Sequence, residues 1–122
     1  MTAIYYAKLF KKIAENYILG KSKIDGTGIF ADKDLGMYDE IGMALELRKA
    51  DKNSIYYERT RLGLMLNHSD TPNAYLEKIG NDYYLVARLA IQSGDEITVD
   101  YDRYKKQLKN EEDKTKRSVI VR

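Results

Sequence analysis

The chain reads N-H-S-D-T-P-N from Asn67 to Asn73 and G-D-E-I-T-V-D-Y from Gly94 to Tyr101. A third stretch, I-D-G-T-G-I-F-A from Ile24 to Ala31, lies upstream of both. Taken singly, the three stretches are explained as a hydrogen-bonded loop, a strand after a turn, and a glycine turn. Their occurrence together, in this order, is what indicates a fold and a function.

The glycine pair Gly26 and Gly28 permits a tight turn and a close approach of the backbone to a ligand. An ordinary turn between two strands explains the pair as well. The pair is not a dinucleotide-binding fingerprint, because a third glycine and a following helix are missing.

The polar loop Asn67–Asn73 contains side chains that bond to nearby backbone and hold an irregular conformation. A hydrolase triad is not indicated by His68, Ser69 and Asp70, since triad residues converge from separate segments and no G-x-S-x-G elbow is present. A well-bonded turn is the simplest interpretation of the loop by itself.

The last motif predicts a strand over Glu96 to Tyr101, with Ile97, Val99 and Tyr101 on one face. Tyr101 would then point with the apolar side chains, where its hydroxyl needs a hydrogen-bond partner or a ligand. A plain core tyrosine competes with a functional one, because the chain has 11 tyrosines.

The remaining pattern predicts a β-rich single domain with helices at its ends. Ala3 to Asn16 has the apolar spacing of an amphipathic helix. The other predicted elements are a strand-like segment at Glu40–Leu47, a short helix at Ile55–Asn67, a hairpin of Tyr75–Ile79 and Tyr83–Ile91 around Gly80-Asn81, and a polar helix at Asp102–Arg117.

Composition excludes several kinds of site. The chain has 122 residues, no cysteine and one histidine, which excludes disulfides and cysteine-bound zinc, and we expect no metal site. It has no apolar run of membrane-spanning length, and Lys8, Lys11 and Lys12 interrupt any signal-peptide core. We therefore expect no membrane partner and an intracellular protein, in the cytoplasm or, for a viral or secreted protein, in a host nucleus.

Charge is unevenly distributed along the chain. Arg103–Arg122 has 8 basic and 3 acidic residues, a net charge of +5, whereas Met1–Asp102 has 13 basic and 16 acidic residues, a net charge of −3. An acidic body favours a basic peptide partner over nucleic acid, and no aromatic-basic interleaving typical of nucleic-acid binding is present. The basic tail is either a packed element or a solvated extension.

The three motifs together resemble the SET-domain lysine methyltransferases, and the resemblance covers about Tyr17 to Tyr104. It implies a mainly β fold, the SET-domain (β-clip) fold of short twisted sheets with a knot-like threading. The implied organisation is an N-terminal helix at 1–16, the SET domain at 17–104, and a basic helix or tail at 105–122 that closes the cofactor site. The absence of cysteine makes the chain similar to the compact viral and bacterial members.

The resemblance also implies a function and a set of site residues. The cofactor would be S-adenosyl-L-methionine, and the substrate a lysine of a basic protein or peptide, histones included. Tyr101 would be the catalytic residue at the methyl-transfer point, and Glu96 and Asp100 would be structural. The implied cofactor-binding residues are Gly26, Thr27, Gly28, Asn67, His68 and Tyr104.

Departures from the family pattern leave an alternative open. Asp70 stands where many members have cysteine, so a zinc-bound lid is excluded and the segment from Asp102 would have to cover the site. The segment Arg48–Arg61, which usually supplies one wall of the substrate groove, is short. A SET-fold module that binds a basic peptide without turnover is therefore the second hypothesis, and the oligomeric state stays open.

Overall fold

A computed structural model describes residues 16–49, 51 and 54–122. The predicted N-terminal helix lies outside these residues. In chain order the elements are β1 (Tyr17–Lys21), β2 (Thr27–Ala31), β3 (Glu40–Lys49), β4 (Ser54–Arg59), α1 (Arg61–Met65), β5 (Asn67–His68), β6 (Ala74–Ile79), β7 (Asp82–Ala87), β8 (Glu96–Val99), α2 (Tyr101–Thr115) and β9 (Ser118–Val121).

The strands form two sheets. The first has the order β1-β2-β8-β5 and the second the order β6-β7-β3-β4-β9. Neighbouring strands are antiparallel except β5 on β8 and β9 on β4, which are parallel. The predicted mainly β fold, the strand-like segment now seen as β3, and the hairpin of β6 and β7 are all confirmed.

One core joins the two sheets. Its largest fully buried side chains come from β2 and β8 of the first sheet, from β3, β4 and β7 of the second, and from α1. Gly63 lets α1 approach β3 closely, because a Cβ there would overlap the carbonyl oxygen of Ala44. No helix among the described residues has the length and apolarity that crossing a membrane requires.

The helix predicted at Ile55–Asn67 is wrong over most of that range. Ile55 and Tyr57 are buried alternately in β4, which pairs with β3 on one side and β9 on the other. The helix is only the short α1, which begins after Thr60, whose side chain accepts a hydrogen bond from the Gly63 backbone. Long-range pairing therefore overrides local helix preference here.

The predicted strand that ends at Tyr101 is two residues too long. Strand β8 ends at Val99, and the Asp100 side chain accepts hydrogen bonds from the backbone N–H groups of Asp102 and Arg103. Such a cap starts a helix, so Tyr101 is the first residue of α2 and not part of the strand face. The predicted polar helix is confirmed, but β9 after it was not predicted.

Candidate active site

The parallel pairing of β5 with β8 brings the polar loop beside the last motif. Asn67 pairs with Thr98 and His68 with Val99, two residues before Tyr101. Asn73 fixes this arrangement through its side chain, which accepts a bond from the Thr98 backbone N–H at 2.9 Å and donates one to the Glu96 carbonyl at 2.8 Å. Asn73, the last residue of the loop, thus attaches the loop to the β8 backbone by two hydrogen bonds, a role that the sequence did not indicate.

The glycine turn connects β1 to β2, and its two glycines differ in surroundings. Gly26 has a φ of +47° and open space where a Cβ would be, so its backbone is accessible. Gly28 is buried, and a Cβ there would lie 2.5 Å from Glu96 Oε2. Thr27 is exposed between them. Packing against Glu96 therefore explains why position 28 holds a glycine, whereas at Gly26 the backbone is open to a ligand.

Asn67 lies buried in a polar cluster behind this turn, with 8% of its surface exposed. Its Nδ2 lies 3.0 Å from Ser22 Oγ, 3.0 Å from the Asp25 carbonyl oxygen and 2.9 Å from Glu96 Oε2. The Ser22 hydroxyl also donates to the Glu96 carboxylate at 2.8 Å. These contacts commit the amide nitrogen to the protein and leave Oδ1 as the acceptor of this side chain.

His68 positions the start of α2. Its Nδ1 accepts a hydrogen bond from the Tyr101 backbone N–H at 3.0 Å, and its Nε2 lies 2.9 Å from Asp70 Oδ1. Because Nδ1 is an acceptor, the neutral ring carries its proton on Nε2 and donates it to Asp70. The His68 and Tyr101 rings lie 5.1 Å apart, centre to centre.

The Tyr101 hydroxyl donates to the Leu66 carbonyl oxygen at 2.6 Å. Burial, and after it the nearby Asp25 carboxylate, raises the pKa of this hydroxyl above its ordinary value, so Tyr101 is neutral at physiological pH. The Tyr101 hydroxyl oxygen and the Leu66 carbonyl oxygen are therefore held side by side. Leu66 directly precedes Asn67 in the chain.

Tyr101 also lines a cavity of about 300 Å³. Its apolar wall includes Leu45, Leu66, Leu76 and Val99. The full lining is Ala44, Leu45, Arg59, Gly63, Leu64, Leu66, Leu76, Val99, Tyr101, Tyr104 and Lys105. Of the residues predicted for the site, the cavity takes Tyr101 and Tyr104, whereas Gly26, Thr27, Gly28, Asn67 and His68 are not in its wall.

The charged residues of this wall are Arg59 and Lys105, and no carboxylate is among its lining residues in the described part of the chain. Burial raises the pKa of Tyr104, and the nearby Arg59 guanidinium offsets part of that rise. Arg59 acts in the same direction on the Tyr101 hydroxyl. No pattern in the sequence indicated that Arg59, at the end of β4, would lie near both tyrosines.

Glu111 holds α2 on the second sheet. Its carboxylate is 8% exposed and accepts bonds from the Tyr57 hydroxyl at 2.7 Å, the Tyr83 hydroxyl at 2.8 Å and the Lys78 ammonium at 2.5 Å. Burial alone would raise the pKa of Glu111, but these three bonds outweigh it and keep the pKa below its ordinary value. Burial, and then Glu111, raises the pKa of both tyrosines.

Further contacts along α2 make the basic tail a packed element. Gln107 donates to the Leu76 carbonyl oxygen at 2.7 Å, and Tyr104 and Leu108 pack against the core. Strand β9 then pairs with β4. The spacing of Tyr104, Leu108 and Glu111 along one helix face is the sequence signal that could have identified the docked side.

The SET-domain family model matches residues 46–102 of this chain. The chain is a SET-domain protein. The matched range includes Asn67, His68 and Tyr101, and it excludes the glycine turn and Tyr104.

A solved structure agrees with this assignment. It is a Plasmodium falciparum protein provisionally described as a histone methyltransferase, with 28% sequence identity and a TM-score of 0.56. The similarity covers 72% of this chain and 94% of the Plasmodium chain. No curated protein sequence matches the chain.

Proposed function

We propose that this SET-domain protein transfers methyl groups from S-adenosylmethionine to lysine side chains of a protein substrate, with Tyr101 as the catalytic residue. The observation that carries the proposal is the position of Tyr101. Its ring contacts His68 of the polar loop, its hydroxyl bonds to the Leu66 carbonyl, and the same side chain lines the largely apolar cavity. A methyl donor beside the polar loop and a lysine in the cavity would meet at this hydroxyl.

The glycine turn and the polar loop have the chemistry that a methyl donor with an amino-acid part needs. The backbone at Gly26 is open to approach, and Asn67 keeps Oδ1 to accept a bond from an ammonium group because its Nδ2 is already committed. Glu96 and Ser22 orient the Asn67 amide, so they are positioning residues. S-adenosylmethionine, when bound, supplies an electrophilic methyl group on a sulfonium centre.

The cavity would prepare the lysine as a nucleophile. Free lysine has a pKa near ~10.4, and only the neutral amine has the lone pair that attacks carbon. Apolar walls disfavour the ammonium form, and the cations Arg59 and Lys105 disfavour it further. Both effects lower the pKa of an entering lysine, so a larger fraction of it is neutral at physiological pH.

Tyr101 and Leu66 would then set the direction of attack. The Tyr101 hydroxyl donates a hydrogen bond to the Leu66 carbonyl oxygen. The remaining lone pairs of both oxygens can then accept weak C–H or N–H contacts from the reacting groups. Alignment of donor and acceptor contributes several kcal/mol to such displacements, at most ~7–11. Helix α2 carries Tyr101 and Tyr104, and we propose that it closes the cofactor site while Glu111 holds it in place.

A second candidate is a module that binds a lysine-containing peptide without turnover. It is favoured by the short segment Arg48–Arg61, because its strand β4 is paired with β3 on one side and β9 on the other and leaves little chain for the wall of a substrate groove. Both candidates keep the peptide site, and they differ in whether the methyl donor binds and reacts.

Calorimetry with S-adenosylmethionine tests the proposal at the cofactor. Asn67→Ala should weaken binding about tenfold or more, a change of about 1.4 kcal/mol. Asn110→Ala, the same replacement on the exposed face of α2, should leave the dissociation constant unchanged. Circular dichroism checks that both variants are folded, because Asn67 also bonds within the protein. An equal affinity in the two folded variants would remove Asn67 from the cofactor site, and no binding by the unmodified protein would favour the peptide-binding module.

A further inference from the structure

A second surface depression adjoins the cavity beside Tyr101. Arg59 and Leu64 line both, and the second is completed by Tyr56, Glu58 and Arg122. Backbone bonds keep Arg122 next to β4, since its N–H donates to the Tyr57 carbonyl and its carbonyl accepts from the Arg59 N–H, both at 2.8 Å. We call the cavity and this depression together the Arg59 groove.

Positive charge dominates the Arg59 groove. Arg59, Lys105 and Arg122 line it, and none of the three has an ion-pair partner among the residues that the structure describes. The Glu58 carboxylate in the lining is engaged by Arg48 at 3.2 Å. The Arg122 guanidinium lies 4.1 Å from the centre of the Tyr56 ring, a contact that leaves its charge unneutralised.

The groove also has an apolar side. Leu64 is 61% exposed at the boundary between the cavity and the depression, so its side chain is accessible to a chain segment that lies in the groove. A chain segment that places a lysine in the cavity would therefore run past an apolar side chain and three cations.

We infer that the Arg59 groove selects lysines with acidic residues beside them in the substrate sequence. This inference rests on the proposed function, because it assigns the cavity to the target lysine. A glutamate or aspartate next to the lysine would face Arg59, Lys105 or Arg122, whereas an arginine or lysine there would meet like charge that its binding must overcome.

The overall charge of the chain predicts the opposite preference, for a basic substrate. The distance over which charges act in solution decides which of the two preferences is stronger. The acidic body, net −3 over Met1–Asp102, favours a basic substrate. Charges in solution are screened beyond about 8 Å at physiological ionic strength. The few cations that touch the groove therefore outweigh carboxylates spread over the rest of the surface, so local charge favours an acid-flanked lysine whereas overall charge favours a basic substrate.

Three fluorescein-labelled peptides of equal length test the inference. Each has a single central lysine, flanked by glutamates, by alanines or by arginines. Binding is measured by fluorescence anisotropy on the full chain, with and without S-adenosylmethionine. The glutamate-flanked peptide should bind about tenfold more tightly than the arginine-flanked one, with the alanine peptide between them. The difference should shrink as salt is added.

Charge variants assign the preference to the groove. Arg59→Gln removes the charge and keeps a polar side chain, and it should reduce the preference. Arg59→Glu changes the charge by two units and should reduce the preference further, with Lys105 and Arg122 still present. Arg117→Gln is the matched control, since Arg117 is exposed beyond the far end of α2, about 20 Å along the helix from Tyr101, and it should leave the preference unchanged.

The outcomes separate this inference from the proposed function. Preferential binding of the glutamate peptide without methyl transfer would support the groove assignment and contradict the proposed enzyme. Methyl transfer with equal or tighter binding of the arginine peptide would support the proposed enzyme and contradict the groove assignment. The inference is also overturned if the glutamate peptide does not bind, or if Arg59→Gln and Arg117→Gln have the same effect.

Discussion

Replacing Glu111 by alanine should destabilise the protein strongly, although Glu111 belongs to a polar helix near the end of the chain. Its carboxylate is 8% exposed and is the shared acceptor of the Tyr57 and Tyr83 hydroxyls and the Lys78 ammonium. The alanine variant leaves both buried hydroxyls without this acceptor. The two tyrosine rings, 5.1 Å apart and nearly perpendicular, would stay in contact, so the loss is mainly polar.

The magnitude follows from those three contacts. A buried polar group without a partner costs about 1–3 kcal/mol, so two hydroxyls cost about 2–6 kcal/mol. Lys78 is 40% exposed and recovers part of its hydration, which keeps its contribution small. This range agrees with the destabilisation of about 3–5 kcal/mol that results when one partner of a buried charged pair is removed. We therefore expect a loss of about 3–5 kcal/mol, or roughly 10–20 °C in melting temperature for a chain of this size.

Urea unfolding of Glu111→Ala and Glu112→Ala measures the effect with a matched control. Glu112 is the next residue of α2, and its side chain makes no hydrogen bond or ion pair with the part of the chain that the structure describes. Its replacement should change the free energy of unfolding by no more than about 0.5 kcal/mol. Equal losses in the two variants would refute the idea that Glu111 holds α2 on the second sheet.

Two further predictions concern pH and the glycine turn. The pKa of Glu111 is lower in the folded protein than its unfolded value of about 4.3, so its stabilisation is complete above that value and is lost as pH falls through the folded pKa. In urea unfolding at about pH 7, Glu111→Gln should therefore have a lower free energy of unfolding than the unmodified protein. The difference between the two proteins should be smaller at about pH 3, and a difference independent of pH would contradict this. Gly28→Ala should destabilise more than Gly26→Ala, because its Cβ would displace the Glu96 carboxylate at 2.5 Å, whereas Gly26→Ala adds about 1–2 kcal/mol of backbone strain in open space. The reverse order of unfolding free energies would mean that Glu96 does not pack there.

Local patterns predicted the elements that local residues determine. The Gly80-Asn81 turn between two β-rich runs gave the hairpin of β6 and β7, and the polar run after Asp102 gave α2. The Asp100 cap was also present in the sequence as an aspartate before a polar helix, but the alternating apolar residues of β8 suggested that the strand continued to Tyr101. A capping side chain and a strand pattern competed at that point, and the cap determined the structure.

Contacts between distant segments were the part that the sequence did not reveal. Strand β9 is a short β-branched run whose partner β4 lies about sixty residues earlier, and pairing at that separation leaves no local signal. Glu111 is a charged residue that is buried because its partners Tyr57, Tyr83 and Lys78 come from three strands. The motif resemblance implied one site that contains Asn67, His68 and Tyr101, but it did not imply Arg59 in the cavity wall.

Methyl transfer by Tyr101→Phe tests the central claim most directly. The unmodified protein is incubated with labelled S-adenosylmethionine, the glutamate-flanked peptide and a panel of histones and ribosomal proteins, and methylated lysines are identified by mass spectrometry. We predict transfer to lysine by the unmodified protein and at least about a tenfold lower rate in Tyr101→Phe. The variant should melt within a few degrees of the original, because it loses one hydrogen bond worth about 1 kcal/mol. Transfer at the original rate by Tyr101→Phe, or no lysine methylation by a protein that binds S-adenosylmethionine, would contradict the assignment of this site.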